Sequence, residues 1–333
     1  MNPTGQLLAP TYRLSVDGKD ITPTVNARLG SLRLEETRGD EADQLEITLS
    51  DHDGRLQIPR KGVIIALAMG WQGQPVVDKG TFTVDEVEHS GAPDKVTIRA
   101  RSADLGDTLR TRRDQSWHQL TLGQILRTLA ARNGLAERVD AALASVAIGH
   151  IDQTNESDLN FLTRLAKRYD AVATAKKGRL LFLPINGTAT RQGQRLPGIT
   201  ITRADGDSHR YHQSEQDAYT GVRAYWHDGK KAHRTGVVVG TQVHLKTLKE
   251  TYSTAADALA AAKAEWQRLK RGAATLSLTL AVGNPLLVPQ TPVTVRGFKD
   301  QIDGTGWLLV RATHSLEDGG LTTQVEMETG ATS

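Results

Sequence analysis

The strongest constraint on the fold is a period that changes twice along the chain. Over roughly the first 110 residues apolar side chains recur every second position: Tyr12, Leu14 and Val16; Leu45, Ile47 and Leu49; Val63, Ile65, Leu67 and Met69; Val96, Ile98 and Ala100. Period two sends successive side chains to opposite faces of an extended chain, so each run predicts a half-buried strand. Asp17-Gly18 supplies a hairpin turn before Ile21. Asp51-His52-Asp53-Gly54 supplies another, and Phe82, Val84 and Val87 lead to a third at Ser90-Gly91-Ala92-Pro93-Asp94. Short strands with regular turn signals predict a sandwich or a barrel.

From Ser116 the period lengthens. Leu122, Ile125, Leu126, Leu129 and Ala130 follow helical spacing, with Thr121 as N-cap and Asn133-Gly134 as the stop. A second helix fits Ser157–Tyr169, with Leu159, Leu162, Leu165, Ala166 and Tyr169 on one face. Lys176-Lys177-Gly178 then predicts a hairpin tip between 171–174 and 179–185. The last third returns to strands, as at Leu276, Leu278 and Leu280. The exception is an alanine-rich helix over Ser253–Arg271, with Thr254 and Asp257 at capping-box spacing, Leu259, Ala262, Trp266 and Leu269 on one face, and Gly272 as the stop.

The two strand-rich stretches resemble each other. Ile58-Pro59-Arg60-Lys61-Gly62-Val63 matches Val288-Pro289-Gln290-Thr291-Pro292-Val293. Gly80, Phe82 and His89-Ser90 match Gly306, Trp307 to Leu309 and His314-Ser315. Short strands resemble one another by chance. The alternative is two copies of one β-unit with the helical segment between them, one hairpin having shortened.

Composition excludes several classes. The chain has no cysteine, hence no disulfide, thiolate zinc site, iron–sulfur ligand or cysteine nucleophile. The longest apolar run, Val63–Met69, is far below the roughly 20 residues of a membrane span. No signal peptide is expected at the N-terminus, so Asn155-Glu156-Ser157 and Asn186-Gly187-Thr188 carry no glycosylation argument. With 41 Lys+Arg against 38 Asp+Glu, the net charge of +3 does not mark a nucleic-acid binder. At about 150 residues per domain, 333 residues suggest two or three domains.

Motifs that carry chemistry are missing. There is no phosphate-binding GxxxxGK[ST], no His-Glu-x-x-His and no GxSxG. Asp51-His52-Asp53-Gly54 lacks the remaining ligands of a calcium loop and suits a solvated turn. His209, His212, His227, His233 and His244 crowd one stretch whose flanks suit loops or strands better than a metal site. Arg110-Thr111-Arg112-Arg113 with Trp117, and Lys230-Lys231-Ala232-His233-Arg234 with Trp226, could contact single-stranded nucleic acid or, more simply, solvent or an acidic protein. Glu156 and Asp158 come nearest to a catalytic carboxylate pair. No catalytic residue, metal or cofactor is expected.

Residues Asp152 to Ala166, Asp-Gln-Thr-Asn-Glu-Ser-Asp-Leu-Asn-Phe-Leu-Thr-Arg-Leu-Ala, resemble the Q-x-x-E-S-D-x-x-F-x-x-R-L signature of the late control gene D protein family of contractile-tailed phages, related to the hub part of type VI secretion spike proteins. Ser116-Trp117 through Leu135, Gly80–Val87, Gly283-Asn284-Pro285-Leu286, Gly306-Trp307 and Thr313-His314-Ser315 resemble that family in the same order. The resemblance implies an α+β, mainly β fold: two tube-like β-barrel domains related by internal duplication, over 1–113 and 187–333, the second with a helix at about 254–271. A small α/β insert with two helices occupies 114–186. The signature residues Glu156, Ser157, Asp158, Phe161 and Arg164 are then structural. Asn155 or Ser157 caps a helix, Glu156 and Asp158 sit in its first turn against the dipole, and Arg164 reaches Asn160 or an acidic group.

The implied role is a non-enzymatic baseplate hub in the virion tail, assembled in the host cytoplasm. It would be a homotrimer joining a six-fold tail tube protein to a three-fold baseplate spike protein, and meeting the tape-measure protein. DNA would pass its channel without specific binding, and no small-molecule substrate is implied. The channel wall should be acidic or neutral, with Arg110–Arg113 and Lys230–Arg234 elsewhere. The chain ends soon after the second β-stretch, so the spike is expected to be a separate protein and no fused lysozyme domain is expected. The alternatives are a nucleic-acid-binding late-gene regulator and a cell-wall hydrolase.

Overall fold

The computed structural model describes residues 9–39, 41–102, 107–176, 178–185, 197–213, 219–228 and 233–330. The hairpin-tip Lys177, the cluster residues Lys230 to Ala232 and the domain boundary at 186–187 lie outside the described residues.

The first region contains β1 (Pro10–Val16), β2 (Lys19–Asp20), α1 (Thr22–Asn26), β3 (Leu29–Thr37), β4 (Gln44–Ser50), β5 (Ile64–Trp71), β6 (Val77–Ser90) and β7 (Lys95–Ser102). The alternating runs form β1, β4, β5 and β7 as the sequence predicts, and Asp17-Gly18 turns β1 into β2 with φ of 47° and 82°. Val63 falls just before β5. The inward residues of these strands, with Leu32, Leu34 and Phe82, make the first core.

The middle region contains α2 (Asp107–Arg110), β8 (Arg112–Thr121), α3 (Leu122–Arg132), β9 (Ala136–Val139), α4 (Ala141–Ala144), β10 (Ala147–Ser157), α5 (Asp158–Arg168), β11 (Ala171–Lys176) and β12 (Arg179–Pro184). Thr121 caps α3 in a full capping box with Gln124. Asn133 closes the helix and Gly134 follows at φ 66°. The long antiparallel ribbon β8–β10, which carries the chain into both helices, escaped the sequence expectation. The buried residues of β10 are Ile148, Ile151, Gln153 and Ser157, so neither even spacing nor apolar alternation marks the strand. Apolar faces of α3 and α5 bury against this ribbon and the β11–β12–β9 sheet to make a second core.

The last region contains β13 (Ile199–Thr202), β14 (Gly206–Gln213), β15 (Gly221–Asp228), β16 (His233–Gly240), β17 (Leu245–Tyr252), α6 (Ala255–Arg271), β18 (Ala274–Leu280), β19 (Pro292–Arg296), α7 (Asp300–Asp303), β20 (Trp307–Glu317) and β21 (Gly320–Thr329). Helix α6 begins at its Thr254 cap, and of its expected face Ala262, Trp266 and Leu269 pack inward. Ala258, Ala261 and Ala262 press it onto β15, β16 and β17, a small sheet with a core of its own, while Leu259 is exposed. The alanines allow close approach, which displaces the larger residues to the flanks of the contact. A separate core fills the space among β13, β14, β18, β19, β20 and β21.

The fold is mainly β, but closed barrels are not what forms. The strands of the first region and β13, β14 and β18 to β21 of the last belong to one 13-stranded sheet, with the path β14-β18-β21-β20-β3-β4-β7-β6-β5-β1-β2, and β19 and β13 attached beside β20. The edge of β3 that would close the first barrel is taken by β20, from Arg311 opposite Thr37 to Leu316 opposite Leu32. Hydrogen bonds to β20 satisfy that edge, so among the described residues neither half closes on itself.

Both halves nevertheless use one pairing plan. In the first, β3, β4, β7, β6 and β5 are neighbours in that order; in the last, β14, β18, β21, β20 and β19 are, and every pair is antiparallel. Strand β6 has a register irregularity between Val84 and Glu86, and β20 has one between Leu309 and Arg311. Val84 exchanges backbone hydrogen bonds with Gly62 and Val63, and Leu309 with Gln290 and Thr291. Gly62 and Gln290 both have positive φ, 85° and 74°. The structural match therefore pairs Val63 with Thr291, two residues from the alignment that the prolines suggest.

Candidate functional site

Buried charge gathers in two main clusters, one inside the middle region and one between regions. In the middle region, Ser157 ends β10 and caps α5, its hydroxyl accepting the Asn160 N–H at 3.2 Å. Asp158, the first helical residue, is fully buried. Its carboxylate accepts from Gln153 Nε2 at 2.8 Å, Asn133 Nδ2 at 3.0 Å and Arg132 at 3.1 Å, with Arg113 Nε 3.8 Å away. An isolated buried carboxylate costs several kcal/mol, so these donors are what permit it to stay there.

Glu156 is on β10, before the cap, and not in the first helical turn as the sequence suggests. The turn at Asn155, with φ 46°, aims it outward, where it accepts two hydrogen bonds from Arg164 at 2.7 and 3.1 Å. Arg164 also donates to the Asp152 carbonyl at 2.6 Å and lies 5.0 Å over the Phe161 ring. Phe161 is buried and stacks on Trp117, 6.1 Å between centroids. The five signature residues thus meet at one corner, where a strand is clamped to a helix. Neither carboxylate is exposed as a free acid or base, because each is committed to arginine.

The second cluster joins three regions. Glu36 of β3 receives Lys79 Nζ of β6 at 2.6 Å and Lys176 Nζ of β11 at 3.1 Å. Lys79 also donates to His314 Nε2 of β20 at 3.1 Å, and His314 Nδ1 meets the Thr323 hydroxyl of β21 at 2.9 Å. Lys176 continues to Asp43 at 3.0 Å. Glu36, Lys79 and His314 are almost completely buried. Burial alone would raise the Glu36 pKa, but the Lys79 and Lys176 ammonium groups beside it hold the carboxylate well below its usual range. Burial lowers the His314 pKa, so the ring is neutral, takes the Lys79 proton contact at Nε2 and donates from Nδ1. Two lysines then balance two carboxylates.

A further knot has Arg271 of α6 bonded to Asp170 at 2.6 Å and to Glu328 of β21 at 3.1 Å, with Arg38 also on Glu328. The sequence pattern did not reveal these partners. The available signal was the inward phase of Glu36 beside Leu32 and Leu34, and of His314 beside Ala312 and Leu316.

The remaining candidates lack a reactive arrangement. Arg28 grips Asp53, and Asp51 accepts the Leu56 N–H at 3.0 Å, as in a structured turn. The histidines at 209, 212, 227, 233 and 244 spread over β14, β15, β16 and the following turn, and no group of three or more metal-ligating side chains gathers among the described residues. Trp117 is buried in the second core and Trp226 is half-buried against the small-sheet core. Arg234 lies 4.4 Å over Tyr225. A cleft of 780 Å³ runs between the β5–β6 turn and 280–286, where Trp71 Nε1 donates to the Gly283 carbonyl at 2.9 Å. Its walls, including Pro75, Val76, Ile199 and Val282, are mostly apolar.

Comparison with known proteins places this architecture. A curated relative from Escherichia phage 186, named "Probable baseplate hub protein", is 40% identical over 97% of this chain and 94% of its own length. The 43 kDa tail protein of prophage MuSo2 from Shewanella oneidensis superposes with a TM-score of 0.71 at 17% identity, covering 96% of this chain and 98% of that one. The E. coli c3393 protein, described as a component of the type VI secretion system, superposes with a TM-score of 0.57 at 14% identity, covering 95% and 76%. The model of the family described as "Phage tail baseplate hub (GPD)" matches residues 44–320. With clamped strands and helices, arginine-neutralised carboxylates and this likeness along nearly its whole length, the chain belongs to the phage tail baseplate hub (GPD) family.

Proposed function

We propose that this hub protein works as a ring-forming symmetry adaptor in the tail baseplate. Its two β-regions act as near-equivalent, tube-like units derived from one ancestral unit, and three chains set six such units around a central channel. A six-fold tube then meets matching surfaces on one side, while a three-fold spike meets the chain's own symmetry on the other. The units correspond to 1–113 and 187–333, and the insert at 114–186 braces them. The observation that carries this reading is the recurrence of one strand order, one bulge position and one positive-φ residue in the two β-regions.

The role is architectural and not enzymatic. Glu156, Ser157, Asp158, Phe161 and Arg164 serve to keep the insert rigid. Partners are the spike, the tube and the tape-measure protein, and DNA passes without being held. Native mass spectrometry of the chain alone and mixed with its cognate spike tests the proposal. A trimer, or a three-to-three complex with the spike, is expected. A strict monomer that never joins spike or tube would refute it.

A further inference from the structure

We propose that the ring closes by antiparallel addition of β14 of one copy to the outer edge of residues 85–90 of β6 in the next. This inference rests on the ring reading above and names the contact that makes the ring. It starts from the joint that the chain forms within itself, where β3 pairs with the second half of β20. In the shared strand order β3 corresponds to β14, and β20 corresponds to β6.

Their equivalents are left unpaired. Among the described residues β14 pairs only with β18, and β6 beyond Val84 pairs only with β7. Burial follows the same division. Ala312, Thr313 and His314 are buried under β3, whereas Val87, Glu88 and His89 at the corresponding places are exposed or half-buried. Strand β3 buries Leu32, Leu34 and Glu36, while β14 is exposed along most of its length. An open row of backbone N–H and C=O groups on two edges of one molecule is a template for pairing.

The internal joint also supplies the register. Leu45 lies opposite both Leu34 and Ala100, and Leu276 opposite both Tyr211 and Met327, so Tyr211 takes the place of Leu34. The bulges set His89 in the place of His314. Because His314 faces Leu34, His89 should face Tyr211, Glu88 should face His212 and Val87 should face Gln213.

Charge agrees with that register. Within the chain Arg311 of β20 pairs with Glu35 of β3 at 3.5 Å. The corresponding residues are Glu86 and His212, again a carboxylate opposite a nitrogen-bearing side chain, with the two strands' roles exchanged. Glu86 and Glu88 line the β6 edge, and His209, Arg210 and His212 lie on β14. The Arg210 guanidinium, set against the Glu86 and Glu88 carboxylates, favours one copy's last region on another copy's first region and disfavours like-with-like pairing.

The absence of native cysteine makes the test direct. The full chain carrying both Glu88→Cys and His212→Cys is oxidised and run on a non-reducing gel. Directly opposite strand residues lie within disulfide reach. Linked dimers and a closed three-chain species are expected, with no ladder from Glu88→Cys paired with Ser208→Cys. His212→Glu should weaken self-association at least tenfold, and adding Glu86→Lys should restore it. A native trimer that forms without the Glu88–His212 link overturns this contact and leaves the ring reading standing. A chain that stays monomeric with its spike overturns both.

Discussion

Replacing Lys79 by methionine removes one charge from the joint and keeps most of its volume. Lys79 and Glu36 are both almost wholly buried and 2.6 Å apart. Deleting one partner of a buried pair typically costs about 3–5 kcal/mol, because the other charge stays desolvated. Glu36 would retain Lys176 at 3.1 Å, so the lower end, about 3 kcal/mol, is expected. At about 2.1 cal/mol/K per residue the unfolding entropy of the chain is about 0.7 kcal/mol/K, which converts that loss into a fall of about 4 °C in Tm. Differential scanning calorimetry at neutral pH measures it. The decisive comparison is the double variant Lys79→Met with Glu36→Met, which leaves neither charge of the pair buried. It should lose clearly less stability than the two single variants added together. A single variant within 0.5 kcal/mol of the parent, or strictly additive losses, would refute the claim that this pair locks the joint.

Acid should loosen the same joint. His314 is neutral in the fold with a depressed pKa, so the unfolded chain binds more protons and stability falls as pH drops below the ordinary histidine value of 6.5. Glu36, also depressed, adds a second loss as pH falls below its ordinary value of 4.5. Thermal unfolding from pH 8 to 2 should show both phases, and His314→Gln should remove the first. Ser157→Ala deletes the α5 cap and should cost about 1 kcal/mol in urea unfolding. Phe161→Ala empties a fully buried site against Trp117 and should cost about 3–5 kcal/mol, read by tryptophan fluorescence during denaturation.

Much of the local structure was legible because its causes are local. Period two marked β1, β4, β5, β7 and β18. Helical spacing with Thr121, Ser157 and Thr254 placed α3, α5 and α6 to within a residue or two. The five-residue signature was also legible as a cap and clamp, since Ser157, Asp158, Phe161 and Arg164 lie within one helix and its cap. Glu156 was misplaced because the bend at Asn155 sends it off the helix. On α6 the expected Ala262, Trp266 and Leu269 pack against the small sheet and Leu259 does not, while Ala258 and Ala261 went unnoticed because alanines carry little hydrophobic signal.

The amino-acid sequence by itself determined the alternating strands β1, β4, β5, β7 and β18, the helices α3, α5 and α6 with their caps, the absence of thiol chemistry, and the likeness between the two β-stretches. Those depend on neighbours within a turn or a hairpin, where period and cap chemistry act. Only the tertiary structure decided that β20 takes the free edge of β3 and so opens both barrels into one sheet. It alone brought Glu36, Lys79, Lys176 and His314 within hydrogen-bond reach. Such choices depend on which distant edge satisfies a row of backbone groups and which buried charges neutralise one another. Neither leaves a period in the sequence.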